Sequence, residues 1–392
     1  MEELGGAWLK LGQALALRFD LLPKEYCYEL FGLLNDVKPT SYALVREVIK
    51  EELGDYPEQL FASFSQESFA SASIGQVHKA VTHTAETVAV KVQHPEAAEL
   101  IRSDISLLYM IAAVLNFIRV VPKALTRGVI DEFARWTEEE LDYHVEARHA
   151  RRFKDNADGD PLEKVPAIYW DLSSRRVLTL EYIDGVPLIE LYEVLKRRDE
   201  KYLEQFRAAG HDLSRIARNI TGNALNQIYQ DGYFHADMHP ANLFVMEDDA
   251  IAYVDFGIVG AFSEETRRSL ILYARNLYWG RVERAADALL RLVKPSKTTD
   301  ELAAREDLIR VIRTYLMDRS VHTKSSRESL LDVLDVLRRH QLEVSTEIAM
   351  YSKALLTVST VTEALVPSSE VNRVQKKFYR RMFLREIPSF LT

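Results

Sequence analysis

The sequence predicts an α+β protein of two lobes, one bearing a small sheet and one mostly helical, preceded by a helical extension. Three observations lead there. Val88, Val90 and Val92 alternate with Ala89, Lys91 and Gln93, the period of a strand with two unlike faces. Trp8, Leu11, Leu15 and Phe19 recur at three- and four-residue spacing, the period of a helix. From Leu188 onward nearly everything reads as helix except residues 243–255, where two short apolar runs flank Glu247-Asp248-Asp249 as in a hairpin.

Taken in order, residues 2–53 read as helices, the first stopped at Asp20-Leu21-Leu22-Pro23 because proline cannot continue a helix. Residues 103–150 return to helix and carry the acidic run Glu138-Glu139-Glu140-Leu141-Asp142. A polar loop at 155–161 leads to a strand at 176–182 and then to Ile183-Asp184-Gly185-Val186-Pro187. The expected domains are a helical extension over 1–60, a sheet-bearing lobe with inserted helices over 61–184, and a helical lobe over 185–392. The apolar run 105–118 is shorter than the roughly 20 residues of a membrane span and contains Ser106, Tyr109 and Asn116, so it reads as a buried helix.

Composition narrows the function. At 392 residues and 47% hydrophobic the chain can bury a substantial core, while a net charge of −9 offers nothing globally basic for nucleic acid. Cys27 is the single cysteine, which excludes an intramolecular disulfide framework and a zinc knuckle. The first ten residues contain two glutamates and no apolar core of a signal peptide. The histidines form no H-E-x-x-H pattern.

Five separated features share a phosphate-handling theme. The first is a small-residue loop running from Ala70 and Ala72 through Ser73 to Gly75 and Val77, in the register of G-x-G-x-x-G-x-V. Small residues let backbone N–H groups approach phosphate oxygens, although alanine adopts positive φ far less readily than glycine. The second is the strand, where Ala89 and Lys91 share a face that could receive a base and phosphate oxygens. The third is the carboxylate set Glu140, Asp142 and Glu146, of which Asp142 and Glu146 are four apart and read as one helix face. A phosphate-binding lysine needs such an anion to orient it.

The fourth feature is the most specific. His235-Ala236-Asp237 reaches Asn242 five residues after the aspartate, and Asp255-Phe256-Gly257 follows across the hairpin. This is the spacing of H-x-D-x-x-x-x-N and D-F-G. Asp237 could orient and deprotonate a hydroxyl or water, and Asn242 with Asp255 supplies hard oxygen ligands suited to Mg²⁺. His235 reads as a buttress of this loop. The fifth feature is Glu181-Tyr182 after the second strand, where a kinase hinge would read an adenine edge.

Together with Lys10-Leu11-Gly12-Gln13 and the extended loop ending in Gln76-Val77-His78, these residues resemble the UbiB-type (AarF-domain) atypical kinase-like family over residues 4–367. The resemblance implies a two-lobed protein-kinase-like fold with N-terminal helices packed over a nucleotide cleft. It places Lys10 and Gln13 against Glu140 and Asp142 as a regulatory cover and makes Glu146 the partner of Lys91. It also implies ATP and Mg²⁺ as cofactors, partners in ubiquinone, prenylquinone or isoprenoid lipid pathways, and a cytoplasmic protein with peripheral contact to the inner membrane. The basic and aromatic tail at 376–385 reads as the closing helix of the helical lobe, with a peripheral membrane patch as the alternative.

The leading expectation is therefore a Mg-dependent ATP-binding kinase or ATPase. Two alternatives stand beside it: a small-molecule kinase of aminoglycoside or choline type, and a nucleotide-gated scaffold without catalysis. An ordinary Ser/Thr kinase is disfavoured, because Ala236 replaces the loop arginine and no Ala-Pro-Glu segment follows Asp255.

Overall fold

The computed structural model describes residues 39–117, 123–321 and 325–385. Lys10 and Gln13, with the rest of the helical pattern before residue 39, lie outside the described residues. The chain divides into two compact units. Among the described residues, the first comprises 39–155 and 166–183 and the second 156–165 and 184–385.

The first unit is built on a four-stranded antiparallel sheet of Ser63–Ser71, Gly75–Val81, Thr87–Gln93 and Val177–Glu181, in that order across the sheet. The alternation in the third strand does what its period requires. Val88, Val90 and Val92 are fully buried, and Ala89 and Lys91 occupy the other face. The buried valines pack on Val45, Val48 and Ile49, one side of the helix Tyr42–Leu53. That helix ends at Gly54, whose φ of 92° is left-handed backbone that a side chain would strain.

The reading of 103–150 as helix resolves into three pieces: Ala97–Phe117, Lys123–Glu140 and Tyr143–Asn156. The 105–118 run also differs from a fully buried helix. Ile101, Ile105, Leu108 and Ala112 are buried at three- and four-residue spacing, while Leu100, Met110 and Val114 are each more than half exposed. An apolar stretch with one packed face satisfies the core without being enclosed on every side. No helix among the described residues is long and apolar enough to cross a membrane.

In the second unit the hairpin forms as its sequence indicates. Leu243–Val245 pairs antiparallel with Ile251–Tyr253, flanked by Val186–Pro187 and by a parallel pairing to Glu163–Lys164. Strand is nonetheless more widespread after residue 188 than expected. Tyr233–His235 pairs with Val259–Ala261, and Val293–Pro295 pairs with Leu342–Val344. Three-residue strands are too short for a period of two to register in sequence. Helices Leu188–Arg197, Glu200–Ala208, Leu213–Leu225, Glu264–Tyr278, Val282–Leu290, Glu301–Val321, Ser326–Arg339, Thr346–Leu365 and Ser368–Arg385 make up most of the rest of the unit. The last of these is the closing helix read from the basic tail, with Phe383 buried and Tyr379 donating to the Tyr229 hydroxyl.

Candidate functional site

The site residues fall into two sets, one in each unit. In the first unit, Lys91 Nζ lies 2.5 Å from Glu146 Oε1, and both side chains are about nine-tenths buried. Glu146 reaches this position because the helix Tyr143–Asn156 buries Tyr143, Glu146, Ala147, Ala150 and Phe153 at helical spacing. A carboxylate on the apolar side of an otherwise polar helix is costly unless a cation meets it, and Lys91 does.

Asp142 does not share that helix face. It precedes the helix, and its Oδ1 accepts the His144 N–H at 2.9 Å, satisfying a donor that the first turn leaves without a partner. Glu140 ends the preceding helix. The four-residue spacing of Asp142 and Glu146 was thus compatible with a cap as well as with a shared face, and the helix break decides for the cap.

The small-residue loop is the turn joining the first two strands. Ala70 and Ser71 end the first strand, Ala72 and Ser73 make the turn, and Gly75 and Val77 lie in the second. None of residues 70–77 has positive φ. Gly75 is required by packing: a Cβ there would lie 2.5 Å from the Tyr143 hydroxyl and 2.6 Å from the Val92 carbonyl oxygen. Gln76 and His78 are structural. The Gln76 side chain accepts from Thr40 N–H at 2.6 Å and donates to His78 Nε2 at 2.9 Å, leaving His78 Nδ1–H to donate to the Ser65 carbonyl at 2.8 Å. Burial lowers the pKa of His78 and keeps it neutral in this chain of bonds.

At the strand end, Glu181 and Tyr182 already use their N–H groups, on the carbonyls of Ala167 and Thr87. Glu181 Oε2 accepts the Ala167 N–H, and the Lys79 ammonium lies 4.1 Å from the centroid of the Tyr182 ring. The backbone donors of these two residues are committed to the fold, so a donor to an adenine edge would have to come from other groups.

The second set is organised by His235, which is buried in the strand preceding the loop. Its Nδ1 accepts the Asp237 N–H at 3.1 Å, and its Nε2–H donates to the Asp255 carbonyl at 2.6 Å. Burial pushes its pKa down, consistent with the single ring proton that this bonding requires. Asn242 Nδ2 donates to the Asp237 carbonyl at 3.1 Å, and Asp255 Oδ1 accepts the Gly257 N–H at 2.9 Å. The hairpin places both at one end: Leu243 faces Tyr253, and Val254 N–H donates to the Asn242 carbonyl. The far end is fixed by fully buried Asp249, which meets Arg215 Nε at 2.5 Å and His211 Nδ1 at 2.7 Å.

Three further residues escaped the sequence reading. Lys353, only 7% exposed, brings its ammonium to 3.6 Å from Asp237 Oδ2. Gln227 accepts the His235 N–H through Oε1 and donates to Glu163 Oε1 at 2.6 Å. Burial raises the Glu163 carboxyl to about 7. Each is a polar residue inside an apolar segment, and Lys353 stands out most, in the buried run from Ile348 to Leu365. That oddity was the available signal.

No cluster of three or more His, Cys, Asp or Glu suited to a metal occurs among the described residues. Mg²⁺ does not need one, because it takes one or two protein oxygens and completes its shell with water and phosphate. The Asn242 side chain uses its amide NH₂ on Asp237, which leaves its oxygen to serve as a ligand, and Asp255 adds a carboxylate. The donor set fits a hard divalent cation.

The ABC1 atypical kinase-like domain matches residues 32–288, about two thirds of the chain. A solved structure, the Rv3197–erythromycin complex from Mycobacterium tuberculosis, is similar over 95% of this chain and 92% of its own, with a TM-score of 0.61 and 26% sequence identity. The short sheets and predominant helices agree with the α+β kinase-like fold that these likenesses indicate. A buried lysine–glutamate pair on the small sheet and an Asp–Asn–Asp loop set around a hairpin thus stand within a domain of known type, and the chain belongs to the ABC1 atypical kinase-like family, which includes the UbiB/AarF proteins.

Proposed function

We propose that the protein is a Mg-dependent, ATP-binding atypical kinase or ATPase that supports ubiquinone, other prenylquinone or isoprenoid lipid metabolism. The observation that carries the catalytic part is the buried Lys91–Glu146 pair at 2.5 Å, which holds an ammonium on the strand face it shares with small Ala89. Lys91 binds the α/β-phosphates and Glu146 orients it. Asp237 takes the proton of the attacking hydroxyl or water, with its backbone held by His235 and Asn242. Asn242 and Asp255 hold Mg²⁺, which when bound offsets phosphate charge. The lipid assignment rests on membership of the family that includes UbiB/AarF, and lipid contact takes place at a membrane surface.

Asp255→Asn tests the catalytic reading. Mg-ATP turnover should fall at least about 100-fold, the order expected when one electrostatic partner of the transferring group is lost. Undiminished turnover would sink the assignment. The lipid part is tested by measuring hydrolysis with anionic liposomes, with and without a prenylquinone-like lipid. Stimulation is expected, and identical rates in all arms reject it.

One observation favours a second reading, transfer to a small soluble alcohol or amine. A helix begins at Glu264, soon after Asp255, leaving no length for a long activation segment. Labelled γ-phosphate appearing on such an acceptor would support it.

A further inference from the structure

Lys353 sits in the middle of the helix Thr346–Leu365, between Ser352 at 1% and Ala354 at 1% exposure. Burying an ammonium costs several kcal/mol unless anions and hydrogen bonds replace its water. An ammonium carries three N–H donors. Among the described residues its anionic neighbour is Asp237 Oδ2, at 3.6 Å, which is beyond hydrogen-bonding distance. The pair is close enough for attraction and loose enough to leave donors unspent.

The surroundings point to what takes those donors. Residues 235–242 contain no Lys or Arg. Of the two histidines there, His235 spends both ring nitrogens on backbone groups, and His239 spends Nδ1 as acceptor from the Ala241 N–H. Asp237 is fixed at its N–H and its carbonyl, and its side chain, 31% exposed, points toward Lys353 while staying open to solvent. A cation beside a partly open catalytic carboxylate stands where a phosphoryl group would develop charge.

Building on the proposed kinase or ATPase reading, we infer that Lys353 is a further catalytic residue, contacting the oxygens of the terminal phosphate as it is transferred. In that step the acceptor oxygen forms a bond to the γ-phosphorus, and the bond from that phosphorus to the β-bridging oxygen breaks with its electron pair leaving on the β-phosphate. The acceptor's proton passes to Asp237. Lys353 keeps its protons throughout; its charge offsets that of the three peripheral oxygens.

The test compares Lys353→Met, Lys353→Arg and Asp237→Asn by Mg-ATP turnover and by equilibrium binding of ATP and of ADP. For Lys353→Met, kcat should fall about 100-fold, ADP affinity should stay within about twofold, and the preference for ATP over ADP should drop about tenfold. The melting temperature should hold, since the Asp237 carboxylate left without its cation is 31% exposed and stays hydrated, so no unpaired charge is buried. Lys353→Arg should restore part of the ATP preference, and should the methionine variant fail to fold, the arginine and Lys353→Gln variants carry the same comparison. A wild-type kcat and ATP/ADP ratio in the methionine or glutamine variant would overturn the inference and leave Lys353 a structural cation. Retained turnover in Asp237→Asn would instead sink the base assignment, while the binding ratio still judges the contact of Lys353 with the terminal phosphate.

Discussion

Lys91 and Glu146, 55 residues apart in the chain, meet at 2.5 Å in the interior of the first unit. One comes from a strand whose valines face the core, the other from a helix whose apolar positions follow helical spacing. Removing one partner of a buried pair costs about 3–5 kcal/mol, whereas replacing both with apolar side chains is often neutral. Glu146→Leu should therefore lower stability by that amount, and Lys91→Met/Glu146→Leu should return to within about 1 kcal/mol of the parent. Denaturant melts of the three proteins decide the matter. Equal losses in the single and double variants would show that the pair is not what the glutamate contributes. Both variants should lose Mg-ATP turnover, which separates the catalytic from the structural role.

Gly75 supplies a test of the loop. Its missing side chain accommodates the Tyr143 hydroxyl and the Val92 carbonyl, so Gly75→Ala forces backbone apart at the end of a strand pair. The expected cost is about 1–3 kcal/mol, the usual scale of overpacking. Adding Tyr143→Phe removes one of the two obstructions and should recover only part of the loss, because the carbonyl stays. Full stability in Gly75→Ala would mean that the glycine serves ligand approach rather than packing.

Glu163 makes stability depend on pH. Its folded value, about 7, lies above the ordinary 4.5, chiefly through burial. A carboxyl raised on folding costs nothing below the unfolded value and progressively destabilises as pH rises from 4.5 through 7, to about 3 kcal/mol above that range. His235 acts in the opposite sense: its lowered value preserves stability above 6.5 and loses it as pH falls further. Glu163→Gln removes the first effect and retains an oxygen acceptor for Gln227. The variant should melt several degrees higher than the parent at pH 8, and the gain in stability should shrink to about a quarter by pH 5. A pH-independent difference would refute the assignment.

Much of this could be read from residue order. The strand of alternating valines, the hairpin around Glu247-Asp248-Asp249, and the spacing of Asp237, Asn242 and Asp255 are local patterns, set by side chains within one element or one turn. The same holds for His235, whose role as a buttress follows from its place two residues before Asp237.

Other decisions needed distant chain segments to meet. Glu140, Asp142 and Glu146 were equivalent as residue types, and the helix break at Leu141-Asp142 turned one into a cap and left another facing Lys91. Gly75 read as a phosphate-loop glycine, and its close packing against the Tyr143 hydroxyl and the Val92 carbonyl came into view only with the fold. Lys353 stood out only as a charged residue in an apolar run, and packing placed its ammonium beside Asp237. Sequence by itself determined the types and spacings of the chemical groups, because those reside in local backbone geometry. Tertiary structure decided which charges are paired and buried, because desolvation and ion pairing depend on neighbours that lie far away along the chain.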